Sequence, residues 1–389
     1  MNRVCSIFSQ LLQLFPRSEF EQAVKQHRAE RHARGFSCWG QFVAMLFCQL
    51  GRAHSLTEIT QGLRASEGKL NHLRLSAAPA KSTLAYANEH RPWELYQTVF
   101  AQLLTRCTVL AADRKRKFRF KNKLVSLDAS VIDLCVKMFD WARFCRTKGA
   151  IKLHLLLDHD GYLPCYAHIT EGRTHEINIA RGLRFEPGTI VVFDRGYNDY
   201  NWFRSLTEDG VWFVTRMKDN ADYIVVESRL VPERGAVRSD EVICVFQHAR
   251  DEQPVFFRRI AVWDEAGQRE LVFLTNHLEF AASTIAAIYK ERWQIELFFK
   301  SLKQLCKIKT FVGTSPNAVK TQVWTALTAM LLLRFLQLKS TFGWALSNLL
   351  ALLRQQLFVY RDLWAWLAKP FQAPPPLAPA QPAQLSLAL

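Results

Sequence analysis

The sequence lacks the motifs that mark several large classes of protein. Its nine cysteines form no CxxC pair, and it contains no GxxxxGK[ST] loop and no HExxH pair. These absences argue against a structural zinc site or disulfide framework, against ATP hydrolysis and against a zinc hydrolase. We therefore expect a cytoplasmic protein with reduced thiols and no nucleotide cofactor.

Long apolar runs and acidic residues are also scarce. The most apolar stretch, residues 327–333, ends at Arg334 and is too short to cross a bilayer, so we expect no membrane partner. The N-terminus has polar residues within its apolar stretch and predicts no signal peptide. Only 35 Asp and Glu oppose 51 Lys and Arg, for a net charge of +16. This excess favours a polyanionic partner such as nucleic acid, the alternative being a generic basic protein.

The hydrophobic pattern divides the chain into five segments. Residues 1–112 show helical spacing and predict a helical N-terminal domain. Residues 113–219 alternate short β-branched runs with helical patterns, which is typical of an α/β domain with a mixed sheet. Residues 220–280 contain strand-like runs without helices between them and predict a β-rich insertion. Helices are predicted over 281–368, and the Pro-rich tail, 369–389, is predicted to be disordered.

Two basic stretches precede or open the α/β segment. Residues 81–91 predict a short helix whose polar side chains either enter a DNA groove or face water. Residues 114–123 contain seven Lys or Arg and two Phe, so they either follow a phosphate backbone or form a solvated linker. The polar residues of the short helix are Lys81, Asn88, His90 and Arg91.

Two aspartates stand at the ends of apolar strands. Asp128 follows the run LVSL, and Asp194 follows the run IVVF. Ligands of open α/β sheets gather at the carboxyl ends of strands, and an acid on an apolar strand is costly unless it is paired or metal-bound. Carboxylates that hold two Mg²⁺ ions can promote phosphodiester chemistry. Each aspartate is thus a candidate metal ligand, the alternative being a turn or cap residue.

A third acid lies on a single helix predicted over residues 281–306. Tyr289, Arg292, Glu296 and Lys303 have sequence offsets of 0, 3, 7 and 14. At about 100° per residue they fall within a stripe ~60° wide. An amphipathic surface helix with salt bridges is the alternative. Cations on both sides of the acid favour a metal ligand flanked by phosphate-binding groups.

The same residues resemble a known signature. The pattern Tyr289-x2-Arg292-x3-Glu296-x6-Lys303 is similar to the YREK signature of the bacterial insertion-sequence transposases usually called family four. Asp128 in SLDAS and Asp194 in VFDRGY resemble the two catalytic aspartates of that family. The segment KGAIKLH resembles its second-strand region, and the resemblance extends from about residue 120 to residue 310.

The resemblance implies a fold and an activity. The fold is α/β: an RNase H-like mixed-sheet catalytic domain with a β-rich insertion, preceded by an all-helical domain that binds DNA ends and followed by C-terminal helices. The activity is cut-and-paste DNA transposition, in which the enzyme cleaves at the ends of its element and joins the 3′-hydroxyls to target DNA. Two Mg²⁺ ions, replaceable by Mn²⁺, are the implied cofactors, and double-stranded DNA and a second copy of the chain are the implied partners.

The resemblance also assigns roles to individual residues. Asp128, Asp194 and Glu296 are the implied metal ligands and catalytic residues, and Tyr289, Arg292 and Lys303 are the implied DNA contacts. A catalytically silent DNA-binding relative and a structure-specific nuclease on the same fold are the alternatives. The complete set of three acids argues against the silent relative, because DNA binding alone does not require acids beside phosphates. Strand transfer would separate a transposase from a nuclease.

Overall fold

A computed structural model describes most of the chain. Within the described part, no helix combines the length and the apolarity that a membrane span requires. Most of the tail predicted to be disordered, the residues after 372, lies outside this described part. The described residues are 5–31, 33, 35–112, 114, 116–134, 139–142, 149–231, 233–245, 255–305 and 311–372.

The N-terminal part is helical, as predicted. Ser55 caps the fourth helix, because its Oγ accepts a hydrogen bond from the Glu58 N–H at 3.1 Å, as a capping box requires. The helices are α1 Ile7–Leu12, α2 Arg17–Gln26, α3 Cys38–Gly51, α4 Leu56–Arg64, α5 Lys81–His90 and α6 Glu94–Ala112, with a 3₁₀ helix at Glu67–Leu73.

Helix α5 is the short helix predicted over residues 81–91, and two of its polar residues have structural partners. Asn88 is buried and accepts a hydrogen bond from Gln41 Nε2 at 2.9 Å. The Arg91 guanidinium donates to the carbonyl of Phe36. The DNA-groove hypothesis is therefore wrong for the buried Asn88, whose side chain holds the helical domain together. Arg91 is half-buried and also joins parts of this domain. Lys81 and His90 are exposed.

The predicted mixed sheet is confirmed and is larger than the α/β segment alone. In the described residues the strand order is β3-β2-β1-β4-β5-β9-β8-β7-β6. Strands β1, β4 and β5 run parallel, and the other neighbours are antiparallel. The strands are β1 Leu124–Leu134, β2 Gly149–Asp158, β3 Leu163–Glu171, β4 Ile190–Phe193, β5 Trp212–Arg216, β6 Tyr223–Ser228, β7 Val237–Val245, β8 Val255–Asp264 and β9 Arg269–Thr275.

The β-rich character predicted for residues 220–280 is confirmed, and its strands continue the same sheet. Strand β9 pairs antiparallel with β5, with Val214 opposite Thr275 and Arg216 opposite Phe273. Strands β8, β7 and β6 then extend the sheet outwards in reverse chain order. The insertion is thus attached through backbone hydrogen bonds to β5, not only through its two connecting segments.

Helices cover both faces of the sheet, and one of them departs from the prediction. The single helix predicted over 281–306 is wrong: two helices meet at Arg292. The Arg292 N–H donates to the Tyr289 carbonyl, three residues back, at 3.0 Å, and this 3₁₀-type turn interrupts the α-helical ladder. The helices are α7 Glu176–Ala180, α8 Tyr200–Glu208, α9 Ala282–Glu291, α10 Trp293–Leu305, α11 Pro316–Lys339, α12 Leu346–Gln356 and α13 Leu363–Ala368.

Each face of the sheet has its own apolar core. On one face, Phe203 of α8 packs against Phe213 of β5, with ring centroids 4.3 Å apart. On the other face, Ile285 and Ile288 of α9 pack against β4 and β5. A third core joins α3, α6, α10 and α11 to the C-terminal end of β1 and to the length of β2. The N-terminal and C-terminal helices therefore share one core, because α11 lies between them.

The basic segment 114–123 is fixed to the sheet domain by its own side chains. Arg116 pairs with Asp160 at 2.8 Å, and Lys117 pairs with the buried Glu291 at 2.5 Å. The Phe120 ring stacks on Phe280 with centroids 5.1 Å apart. These contacts favour the linker interpretation of the segment over free aromatic side chains that stack on bases.

A buried ion pair connects the β-rich part to the start of α9. Arg258 donates to both carboxylate oxygens of Asp240, at 2.7 and 2.6 Å, and also to the Phe280 carbonyl at 2.5 Å. Both side chains of the pair are more than nine-tenths buried. The guanidinium thereby fixes the strand pair β7–β8 to the turn that precedes α9.

We expect Asp240→Ala to lower the free energy of unfolding by about 3–5 kcal/mol, because it leaves the Arg258 charge buried without a partner. Asp264→Ala is the control, since its pair with Arg269 is long, 3.9 Å, and its two side chains are 31% and 61% exposed; we expect a change below about 1 kcal/mol. Urea denaturation of the two variants measures both values. Equal destabilisation would show that the buried pair contributes no more than a surface pair.

Candidate active site

The pairing of β1 with β4 places two aspartates side by side. The parallel register ends with Leu127 opposite Phe193, so Asp128 and Asp194 follow at the same level on neighbouring strands. Residues 124, 190 and 192 of these strands share a core with α9. Because side chains alternate along a strand, both aspartates belong to the face that α9 covers. The structure therefore brings these two predicted site residues together.

Helix α10 supplies the third acid, and a cation stands between two of the three. Arg292 Nη2 lies 2.5 Å from Glu296 Oε1, and Arg292 Nη1 lies 3.7 Å from Asp128 Oδ2. The Arg292 side chain is only 14 % exposed, and that of Glu296 is 33 % exposed. One guanidinium thus bridges the carboxylates of β1 and α10, and it offsets the repulsion between them.

Burial dominates the electrostatics of Asp128. Loss of hydration raises its pKa to about 6, and the nearby Glu296 and Glu176 act in the same direction. The Ala129 N–H, which donates to Asp128 Oδ1 at 2.8 Å, and the Arg292 charge oppose the rise in pKa. Asp128 therefore titrates close to physiological pH, as groups at functional sites often do.

Asp194 acts as a helix cap, which is the alternative to a role as metal ligand. Its Oδ1 accepts a hydrogen bond from the Gly196 N–H at 2.9 Å, at the start of a 3₁₀ helix, Arg195–Tyr197. Only one of its two carboxylate oxygens makes this capping bond. A cap fixes the side chain without preventing the other oxygen from binding a ligand.

The remaining two residues of the predicted stripe flank the acids. Tyr289 lies against Phe273, with ring centroids 5.0 Å apart, and the Arg292 guanidinium is 5.6 Å from the Tyr289 ring centre. Lys303 Nζ donates to the Val131 carbonyl of β1 at 2.8 Å. A cavity of about 380 Å³ opens between β1 and α10, and its lining includes Asp128, Glu296 and Lys303.

The chemistry of these side chains suits Mg²⁺, although they are not gathered around one point. Carboxylate oxygens are the hard ligands that this ion prefers. Among the described residues, no three Asp, Glu, His or Cys side chains are grouped closely enough to enclose a metal ion. Arg292 lies between Asp128 and Glu296, so its side chain must move before these two carboxylates can bind one ion.

Three residues near the acids are not predicted from the sequence. Glu176 begins α7 and is paired at 3.2 Å with Lys152 of β2. The Tyr197 hydroxyl is buried beyond Asp194 without a hydrogen-bond partner. A lysine inside the apolar run IKLH was the available signal, because a buried cation requires an acid. The sequence does not reveal which acid meets it.

Two family models and several known proteins match this chain. A family model described as "Transposase DDE domain" matches residues 119–332, and a model described as a domain of unknown function matches residues 4–74. A Sinorhizobium fredii protein that carries the name transposase y4zB is 30% identical over 307 residues, which cover 78% of this chain and 83% of that protein.

Two further similarities are more distant. A Geobacillus stearothermophilus protein, named as a transposase for insertion sequence element IS5377, is 27% identical over 66% of this chain and 67% of its own length. A piggyBac transposase in a synaptic complex with hairpin DNA covers 92% of this chain and 80% of its own, at 10% identity and a TM-score of 0.44. The family model spans more than half of the sequence. The chain therefore belongs to the family of transposases built on a DDE domain, as the YREK signature predicted.

Proposed function

We propose that this chain binds the ends of its own insertion sequence, cleaves the DNA there with divalent metal, and joins the freed 3′-hydroxyls to target DNA. The observation that carries the proposal is the placement of Asp128 and Asp194 on adjacent parallel strands, with Glu296 of α10 linked to Asp128 through Arg292. Three acids are of no use to a protein that only binds a polyanion. Their presence on β1, after β4 and on α10 favours catalysis over the silent DNA-binding alternative.

The proposed roles follow from the contacts of each side chain. Asp128, Asp194 and Glu296 would hold two Mg²⁺ ions, or Mn²⁺ in their place. When bound, the metal would polarise the scissile phosphate and lower the pKa of the attacking oxygen. Arg292 would exchange its carboxylate partners for a DNA phosphate, which offers a guanidinium equally good acceptors.

The surroundings of the acids support a DNA contact. Lys303 and Tyr289 would hold the DNA near the reacting phosphate, Lys303 from the rim of the cavity and Tyr289 from behind Arg292. Both a DNA end and a target duplex carry phosphates that the net charge of +16 attracts.

Two ends must be brought together for transposition, so we propose that a homodimer performs the reaction. Within the chain, residues 1–112 would bind the ends, and residues 113–219 with 281–368 would form the catalytic part.

We expect Asp128→Ala, Asp194→Ala and Glu296→Ala each to reduce cleavage of an end-bearing DNA by at least about 10³-fold, because each ligand contributes several kcal/mol to the transition state. Binding to the same DNA should persist in a gel-shift assay. Asp133→Ala is the matched control, since Asp133 is an exposed acid five residues further along β1. Wild-type cleavage by any of the three variants would remove that residue from the metal site.

We expect Lys303→Ala to weaken binding to end-bearing DNA, and to weaken it to a similar degree whatever the sequence of the DNA. The slope of log K against log salt concentration should fall by about 1, because one phosphate contact is lost. Lys339→Ala, an exposed lysine at the end of α11, is the control and should leave the slope unchanged. An unaltered slope for Lys303→Ala would contradict its phosphate contact.

The pKa of Asp128 leads to a pH-dependent prediction for the metal-free and DNA-free protein. Its folded-state pKa of about 6 lies above the ordinary value of 3.8, so the folded chain retains a proton that the unfolded chain loses. The stability that this carboxyl provides is therefore complete below about pH 4 and is lost as the pH rises through 6.

Asp128→Asn removes that loss. We expect the variant to be more stable than the wild type by up to about 3 kcal/mol at pH 8 and equally stable at pH 4. Asp133→Asn, on the same strand and exposed, should show no such difference between the two pH values. Thermal unfolding at pH 4 and pH 8 measures both. A gain in stability that is the same at both pH values would mean that ionisation of the buried Asp128 carboxyl does not destabilise the fold.

A further inference from the structure

A fourth carboxylate is fixed near Asp128 and Asp194 by a buried lysine. Glu176 is the first residue of α7, and its Oε1 lies 3.2 Å from Lys152 Nζ. Lys152 is only 9% exposed and also donates to the Thr174 carbonyl at 2.9 Å. Because Lys152 belongs to β2, directly beside β1, the sheet itself sets the position of the Glu176 carboxylate.

The second oxygen of this carboxylate and one oxygen of Asp194 both lie near Gly196. A Cβ placed on Gly196 would lie 3.5 Å from Asp194 Oδ1 and 3.9 Å from Glu176 Oε2. The two carboxylates therefore border the same small space, which the glycine leaves free of a side chain. Two like charges in a partly buried place repel each other, and a cation between them removes that repulsion.

A buried hydroxyl points to an occupant of this space. Tyr197 is 1% exposed, and its hydroxyl has no hydrogen-bond partner in the structure. Burial raises the pKa of Tyr197 well above its ordinary value, and the charges of Asp128, Glu176 and Asp194 add to the rise. The hydroxyl is thus near all three carboxylates without bonding to any of them. Buried polar groups in native proteins are almost always satisfied, often by ordered water.

We propose that Glu176 is a fourth carboxylate ligand of the divalent-metal site, on the Asp194 side, and that Lys152 positions it for that role. Tyr197 would donate its unpaired hydroxyl to a water of the same ion. The inference rests on the proposed function, because it takes Asp128 and Asp194 as ligands. It differs from a purely structural role of the Lys152–Glu176 pair, in which the pair would only fasten α7 to the sheet.

Binding of Mn²⁺ to the full-length, DNA-free chain, measured by titration calorimetry, tests the proposal without relying on activity. We expect Glu176→Gln to weaken Mn²⁺ binding by about tenfold or more. Glu208→Gln, an exposed glutamate at the end of α8, should bind as the wild type does. Lys152→Met breaks the same ion pair and keeps the carboxylate but no longer positions it, so we expect it to weaken Mn²⁺ binding by less than Glu176→Gln does.

The variants separate the possible outcomes. If Glu176→Gln binds Mn²⁺ like the wild type while Asp194→Asn does not, Glu176 is structural and only this proposal fails. If Glu176→Gln and Lys152→Met lower the affinity and the melting temperature equally, the pair fastens α7 and the proposal also fails. If Asp194→Asn itself binds normally, the proposed metal site is wrong as a whole. Should Glu176→Gln not fold, the double variant Lys152→Met/Glu176→Gln, which removes both charges of the pair, replaces it, and undiminished affinity of this variant overturns the proposal.

Discussion

The parallel pairing of β1 with β4 is the constraint on which the site depends. It sets Asp128 and Asp194 at the same level of the sheet and directs both towards the face that α9 covers. A shift of one residue in this register would send one aspartate to the opposite face, among the rings of Phe193 and Phe213. The apolar runs before each aspartate therefore determine the site, because they fix the register by burial.

Placing several carboxylates together in a poorly hydrated position costs free energy, and the chain offsets that cost with buried cations. Arg292 lies between Asp128 and Glu296, and Lys152 lies against Glu176. The raised pKa of Asp128 indicates that the compensation is incomplete. A site in this condition favours any additional positive charge, which is the property that binding of divalent metal requires.

Much of this arrangement can be predicted from the sequence. The apolar runs that precede Asp128 and Asp194, the helical spacing from Tyr289 to Lys303 and the β-rich run all depend on local periodicity, which the sequence displays directly. The continuation of β1 beyond Asp128 to Leu134 is not evident from that periodicity. The break at Arg292 could not be predicted in this way, because helical spacing continues through it. Glu176 was missed because its partner Lys152 is 24 residues away in sequence, and only the pairing of β2 with β1 brings them to the site.

The β-rich segment also contributes to the position of the third acid. Strand β9 returns to β5, the neighbour of β4, and the chain then enters α9 directly. The Arg258–Asp240 pair holds the intervening turn through the Phe280 carbonyl. Since α9 leads into α10 through the tight turn at Arg292, the location of Glu296 depends on where β9 ends. An independently moving insertion could not provide such an anchor, so continuity of the sheet is itself part of how Glu296 is positioned beside Arg292 and Asp128.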